Sequence, residues 1–308
     1  MDKNPTPENH AKGAGSSLGA QVLEKLPSPE SLLHELGAVI EKPLPQSYLN
    51  FAGRQLIALI DTVRGLGAFA LITLGVVFTK SHVAPRLMRP ILLAQIYRAG
   101  ARLVPVIGFM GMALGLVIIG QTVSLLTSVG AQSYTGLVMV TVVVRELGPI
   151  VATLLVLVRV GTEIVIELGT ARAQGEVEAL EALGIDPIHY LVVPRVFGLA
   201  IASFSLTVYL IIVAILSGYI FAFVQDVPLK PGDYFTQLAV ALRWQDFALL
   251  AVKTACFGST IAVVSCYQGL AHRLRLEDVS AATIRAVMHS VVVCVLLDAI
   301  FIVIYMVM

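Results

Sequence analysis

Residues 134–168 read YTGLVMVTVVVRELGPIVATLLVLVRVGTEIVIEL, an apolar run that Arg145, Glu146 and Pro149 interrupt. A straight membrane-spanning helix needs about 20 apolar residues. This longer run therefore predicts a span that tilts or projects from the bilayer. Ionisable side chains inside a span are costly and by default suggest function. The central question is therefore what Arg145 and Glu146 contact.

The composition of the whole chain supports a membrane protein. Its 308 residues are 57% hydrophobic and 13% charged, about half the charged fraction of an average soluble domain. Together with a mean hydropathy of +0.87, this predicts an all-α integral membrane fold. Cys256, Cys266 and Cys294 lie in apolar runs and suggest neither a disulfide framework nor a metal site. We find no catalytic motif, cofactor site or nucleic-acid signature.

Five membrane spans are predicted from the apolar runs, at about 103–128, 134–168, 190–224, 246–271 and 285–307. Gly111 and Gly115 in the first span form a small-xxx-small face, which favours close helix packing. Loops 169–189 and 272–285, the second of which carries His272, Arg273, Arg275 and Arg285, are expected to face the cytoplasm. The N-terminus is then cytoplasmic, and the C-terminus lies on the outer face of the membrane.

The N-terminal third has a different composition. Residues 1–46 predict a polar, mostly disordered cytoplasmic tail that contains a short amphipathic helix at 29–41. Residues 47–100 are expected to lie along the membrane, because the apolar run at 65–78 is too short to cross it. An interfacial or re-entrant helix would keep the basic groups on both sides of that run in the cytoplasm.

The RELGP sequence at 145–149 predicts a polar break in the second span. Neighbouring helical positions differ by about 100°, so Arg145 and Glu146 each need their own partner. Pro149 cannot donate to the carbonyl of Arg145, so we expect a kink and a bare carbonyl there. Such backbone is tolerated only inside protein or along a cavity. Two compatible interpretations remain: a clamp between helices, or a polar niche in a substrate path formed by Arg145, Glu146, Leu147 and Pro149.

Further charges follow in the same span. Arg159, Glu163 and Glu167 recur every four residues, which predicts an ion pair between Arg159 and Glu163 that Glu167 extends. This ladder is either a solvated stripe or a stripe that faces a second subunit. Asp298 is the lone acidic residue of the last span and needs a partner that the sequence does not identify.

The loop after the second span predicts a short helix over 175–186. Apolar and acidic residues alternate at helical spacing, and Gly184 and Pro187 are placed to end the helix. An apolar ridge with an acidic rim favours docking to a basic partner over the anionic membrane surface. The chain has no G-x-x-x-x-G-K-[ST] nucleotide loop, so any ATP hydrolysis is expected on a separate subunit.

Several of these segments together resemble one known family. RELGP at 145–149, EVEALEALGIDP at 176–187 and the Pro-Arg pair at 194–195 resemble the MlaE (YrbE) permeases. These permeases are membrane subunits of ABC transporters that work with MCE proteins. The segments at 252–270 and 281–298 also look like family segments, and the resemblance covers roughly residues 50–308. Here Val158, Thr162 and Glu163 replace the Gly, Ser and Ala that are usual in the family.

The resemblance implies a homodimeric lipid permease of the bacterial inner membrane, with five spans per subunit and a permease domain over residues 47–308. Two ATPase subunits carrying ATP and Mg would dock on the coupling helices, and a periplasmic MCE ring would sit above. Phospholipid or a similar lipid would pass through a pocket at the dimer interface, beside Arg145 and Glu146. The ATPase contact would map onto Glu176, Val177, Leu180, Glu181, Leu183 and Asp186.

Two other functions remain open. One is a structural membrane anchor for an MCE-type ring that moves no lipid itself. The other is a proton-coupled secondary transporter that uses Arg145, Glu146 and Asp298. The sequence shows no inverted repeat, and this argues against such a transporter.

Overall fold

A computed structural model describes residues 64–77, 85–224, 231–270 and 275–307. Within these ranges the chain consists of helices and short turns, and no strand occurs. The predicted polar tail at 1–46, its amphipathic helix at 29–41 and the first part of the interfacial region fall outside the described residues. The described helices all belong to one compact unit, Arg64–Met308.

Five helices in the described ranges are long and apolar enough to cross a membrane, which confirms the predicted number. They are Val104–Ser128, Thr135–Ala173, Ile188–Phe221, Trp244–Leu270 and Leu276–Val307, named here the first to fifth spans. The short helix Glu176–Ala182, named the loop helix, joins the second span to the third. We call its end of the bundle the loop-helix side and the other end the opposite side.

The fifth span begins nearer the N-terminus than predicted, because part of the presumed loop 272–285 is helical. A 3₁₀ turn at Leu276–Asp278 leads directly into the helix Val279–Val307. The Asp278 carboxylate accepts a hydrogen bond from the Arg275 backbone N–H at 3.3 Å. Such a cap satisfies a free donor where a helix begins. Asp278, which the sequence analysis gave to the loop, therefore caps the start of the helix.

Three shorter helices accompany the spans. Arg64–Val77 is apolar but shorter than a span, and its Phe69 ring lies 5.7 Å from that of Tyr267 in the fourth span. Pro85–Gly100 packs against the third span. Pro231–Ala241 lies within the predicted outer loop 225–246, where no helix was expected.

The third span is central, because it packs against the first, second and fourth spans. Gly111 and Gly115 face it, as the small-xxx-small pattern predicted. A Cβ on Gly111 would lie 2.9 Å from the Leu210 carbonyl oxygen, and one on Gly115 would collide with Ala214 and Ser217. The Ser217 hydroxyl also donates to the Met112 carbonyl at 3.3 Å. Only glycine allows the two backbones to approach this closely.

Replacing Gly115 with alanine should lower the free energy of unfolding by about 1–3 kcal/mol. The added methyl would meet the Ala214 carbonyl, which is backbone and cannot rotate away. Gly100→Ala is the matched control, since a Cβ there would have no neighbour within 4 Å. Denaturant titration of the purified proteins in detergent measures the difference. Equal stability of the two variants would contradict the close helix contact.

Candidate functional site

The RELGP sequence produces a widened helical turn in the second span. Residues Val140–Leu147 form a π-helical segment, and the Gly148 N–H reaches the Val143 carbonyl five residues back. A Cβ on Gly148 would lie 2.8 Å from Ile211 of the third span. A π-helical insertion of this kind accommodates the backbone hydrogen bond that is lost where a proline removes a donor. Such insertions are frequent at functional sites.

The sequence suggested that the Arg145 carbonyl is bare, because Pro149 cannot donate to it. In the structure this carbonyl accepts a hydrogen bond from Lys253 instead. The Lys253 ammonium donates to the Arg145 carbonyl oxygen at 2.9 Å and to Glu146 Oε2 at 3.0 Å. It also forms an ion pair with Asp298 Oδ1 at 2.7 Å. An ammonium has three N–H donors, and three oxygens surround this one. Lys253 therefore joins the second, fourth and fifth spans.

Burial makes this arrangement costly to disturb. The Lys253 side chain is fully buried, and a buried charge is tolerated only when it is paired. Asp298, whose partner the sequence did not identify, therefore pairs with a residue of the neighbouring span. Glu146, which needed a partner of its own, pairs with Lys253 of the fourth span.

Arg145 points to different partners, as its helical position requires. Its Nε lies 2.9 Å from Asp246 Oδ1 at the start of the fourth span. Its guanidinium also stands over the Tyr305 ring, 5.2 Å from the centroid, within range of a cation–π contact. The other carboxylate oxygen of Asp246 accepts a hydrogen bond from the Arg243 N–H at 2.9 Å. Asp246 is therefore held from two sides and orients the guanidinium.

We call Arg145, Glu146, Asp246, Lys253 and Asp298 the polar hub. Sequence reasoning missed Lys253 and gave Asp246 to the outer loop. Lys253 is nevertheless a lone cation inside the apolar run of the fourth span, so the same rule that selected Arg145 could have found it. For Asp246 the only signal was its position at the first turn of a predicted span.

A cavity of about 700 Å³ opens beside the hub on the opposite side of the bundle. It lies between the start of the second span and the helix Pro231–Ala241, and its lining includes Tyr134, Leu137, Arg145, Thr236, Val240 and Arg243. Of the four predicted pocket residues, Arg145 alone belongs to this lining. Glu146 is held by Lys253, while Leu147 and Pro149 pack in the protein interior.

The helix Pro231–Ala241 is held against the spans by specific contacts. A Cβ on Gly136 would approach the Gln237 backbone within 2.6 Å. The Tyr234 hydroxyl donates to the Ile215 carbonyl at 3.2 Å. A tyrosine phenol is protonated at physiological pH, and burial raises the pKa of Tyr234 further, so this hydroxyl is a donor. The cavity wall is therefore a packed helix.

The predicted charge ladder has different partners from those expected. In the described part of the chain, Glu163 pairs with Arg102 at 3.8 Å and not with Arg159. Glu167 pairs with Arg98 at 3.5 Å and with the buried Arg195 at 3.0 Å. The predicted pair between Arg159 and Glu163 was therefore wrong, because arginines from outside the second span reach the carboxylates.

The loop helix is shorter than the predicted 175–186. It runs over Glu176–Ala182, and Gly184, which the sequence predicted to end the helix, follows it with φ +74°. The N–H groups of Gly184 and Ile185 bond the carbonyls of Glu181 and Leu180 at 3.0 Å each, the pattern of a Schellman motif.

Its apolar residues do not form one ridge. Val177 is buried, whereas Leu183 is 75% exposed and Leu180 is half-buried, because positions three apart drift by about 60° around a helix. Glu176 and Glu181 are exposed, and Glu178 pairs with Arg172 at 3.4 Å. The Asp186 carboxylate accepts the Ile188 N–H at 3.0 Å and shapes the start of the third span. The exposed surface is thus Leu183 with Ile185, beside the acidic Glu176 and Glu181.

Comparisons with known proteins agree with the resemblance. The sequence profile of the family described as Permease MlaE matches residues 92–304. A probable ABC transporter permease protein of Rickettsia felis is 31% identical over 241 residues, 78% of this chain and 91% of the relative. The intermembrane phospholipid transport system permease protein MlaE of Haemophilus influenzae is 25% identical over 82% of this chain and 95% of its own length.

A plant protein is also similar. Protein TRIGALACTOSYLDIACYLGLYCEROL 1, chloroplastic, of Arabidopsis thaliana is 29% identical over 65% of this chain and 57% of its own length. The family profile matches more than two thirds of the chain, including all the residues of the polar hub and the loop helix. The chain, a multi-pass membrane protein, therefore belongs to the MlaE permease family.

Proposed function

We propose that this chain is the permease subunit of an ATP-driven transporter that moves phospholipid or a similar lipid between the inner membrane and a periplasmic MCE protein. The observation that carries the proposal is the placement of Arg145. A guanidinium held by a buried carboxylate reaches a cavity of about 700 Å³ among apolar helices. A lipid has the matching chemistry, since its phosphate pairs with guanidinium and its chains suit apolar walls.

The proposal includes the assembly. The chain forms a homodimer in the inner membrane, with its N-terminus cytoplasmic, its C-terminus periplasmic and the cavity toward the periplasm. ATP and Mg bind to separate ATPase subunits, so the chain itself is not an enzyme. The similarity to the Haemophilus influenzae phospholipid permease supports this assignment, as do the probable ABC permeases of Rickettsia.

Lipid flux from reconstituted vesicles tests the transport function. The purified permease, its ATPase and an MCE acceptor should move labelled phospholipid when ATP is added, and should stop with a non-hydrolysable analogue. No ATP-dependent flux from an intact complex would favour a structural anchor. Flux that follows a pH gradient without any ATPase would favour a proton-coupled transporter.

Changing Leu183 to arginine should release the ATPase. Leu183 is the most exposed apolar residue of the loop-helix region, and an anchor of this kind is worth about 2 kcal/mol at an interface. The dissociation constant of the permease–ATPase complex should rise about 30-fold, and less ATPase should co-purify. Val129→Arg is the control, because Val129 is similarly exposed but lies on the opposite side. If both variants retain the ATPase, the loop helix is not the docking site.

A further inference from the structure

A second polar groove lies on the loop-helix side of the second span, away from the polar hub. It encloses about 460 Å³, and its lining comprises Arg98, Arg159, Thr162, Glu163, Ile166 and Glu167. The proposed transport function makes no use of this groove. Three features of the groove together suggest a ligand. They are its charges, its position relative to the bilayer, and the apolar residues at its border.

The groove and the side chains that pair with its lining together carry more guanidinium than carboxylate. Glu167 is shared by Arg98 and Arg195, and Glu163 pairs with Arg102. Among the described residues, Arg159 has no carboxylate partner within ion-pair distance, and its side chain is exposed. Arg98 and Arg159 line the groove, and Arg102 and Arg195 neutralise its two carboxylates from outside the lining, so this cluster has four positive charges against two negative charges.

The depth of Arg159 suits the headgroup layer of a bilayer. It follows Thr135, the first residue of the second span, by 24 residues, which corresponds to about 36 Å along a helix. The hydrocarbon core is about 30 Å thick, and about 40–45 Å with the headgroups. With Thr135 at one interface, Arg159 therefore lies close to the phosphates of the other leaflet.

The border of the groove is apolar. Ile166 is 50% exposed and Val158, next to Arg159, is 62% exposed. With a soluble anion bound, these apolar side chains would stay exposed to water. A phospholipid would cover them with its acyl chains while its phosphate contacts the Arg159 guanidinium. A guanidinium matches a phosphate with two parallel hydrogen bonds.

We infer that this groove binds the phosphate headgroup of an anionic phospholipid from the leaflet on the loop-helix side. The surplus of positive charge selects an anionic headgroup over a zwitterionic one. Arg159 provides the free guanidinium, and Glu163 opposes the phosphate by repulsion and by engaging Arg102. The site is separate from the cavity at Arg145. The inference does not depend on whether the chain transports lipid.

Two substitutions with opposite expected effects test the site. The full chain is reconstituted in nanodiscs of phosphatidylcholine with or without phosphatidylglycerol, and native mass spectrometry counts the lipids that remain bound. Arg159→Gln should lower retained phosphatidylglycerol about five-fold, because one cation near an anionic headgroup is lost. Glu163→Gln should raise it by a similar factor, because it removes repulsion and frees Arg102. Arg159→Lys, which keeps the charge, should retain most of the binding.

A structural role for the cluster gives a different pattern. If Arg159 and Glu163 only stabilise the bundle, both neutral variants would lower thermal stability and lipid retention together. The inference also fails if Arg159→Gln leaves phosphatidylglycerol retention unchanged, or if it alters the oligomeric state instead, as a contact with a second copy would. Inorganic phosphate provides the last arm: binding of phosphate without any preference for phosphatidylglycerol would identify a soluble-anion site and overturn the lipid assignment.

Discussion

Replacing Lys253 with methionine should lower the free energy of unfolding by about 3 kcal/mol, the largest stability effect expected of any substitution in the polar hub. Removing one partner from a buried ion pair leaves the other charges uncompensated. Here Glu146, Asp298 and the Arg145 carbonyl all lose their shared donor. Denaturant titration in detergent measures the loss. Val252→Met is the control, since Val252 is the adjacent, exposed residue and surface substitutions usually change stability by less than about 0.5 kcal/mol.

A neutralised hub separates the cost of unpaired charge from the loss of function. The triple variant Lys253→Met, Glu146→Gln, Asp298→Asn should recover part of the stability, because it leaves no uncompensated charge buried. It should not recover lipid flux if the charges take part in transport. Full stability in Lys253→Met alone would contradict the buried three-span contact.

Replacing Arg145 with glutamine should reduce lipid flux about 10- to 100-fold at normal protein levels. The loss corresponds to one hydrogen bond to a charged group, worth about 1.5–3 kcal/mol. Asp246→Asn should have a smaller effect, because the guanidinium keeps its charge and loses only the partner that orients it. Thr236→Val is the control within the same cavity lining, since it changes neither charge nor volume greatly.

Glu146 tests whether the hub acts as a unit. Glu146→Gln leaves Lys253 with Asp298 as its remaining carboxylate, so flux should fall even though Glu146 is outside the cavity lining. Flux, protein abundance and thermal stability have to be measured together, because a folding defect would also lower flux. Normal flux in both Arg145→Gln and Glu146→Gln would remove the pair from the transport mechanism.

The architecture follows from local properties of the chain. Apolar length predicts each span, because the bilayer has a set thickness and its core cannot satisfy exposed backbone groups. The end of the loop helix was predictable for a similar reason, since Gly184 allows a positive φ that other residues avoid. The helix Pro231–Ala241 was missed because its acidic first turn and its flanking charges are also typical of a loop.

Partners between helices were less predictable. Lys253 is 107 residues from Glu146 along the chain. The sequence of neither segment indicates which faces of the two spans are in contact. The error at Glu163 has the same origin. Spacing of four residues predicted Arg159 as its partner, but Arg102 from outside the second span lies within ion-pair distance.

By itself, the sequence determined that the chain crosses the membrane, where it crosses, and that Arg145, Glu146 and Asp298 must be paired. These conclusions follow from transfer costs, which each residue carries wherever it lies. Only the tertiary structure decided that Lys253 satisfies the carbonyl beside Pro149 together with two carboxylates, and that Arg145 is directed to Asp246 and the cavity. Those contacts depend on how helices rotate and approach one another, and this is set by packing over the whole bundle, including glycine contacts such as Gly115 with Ala214.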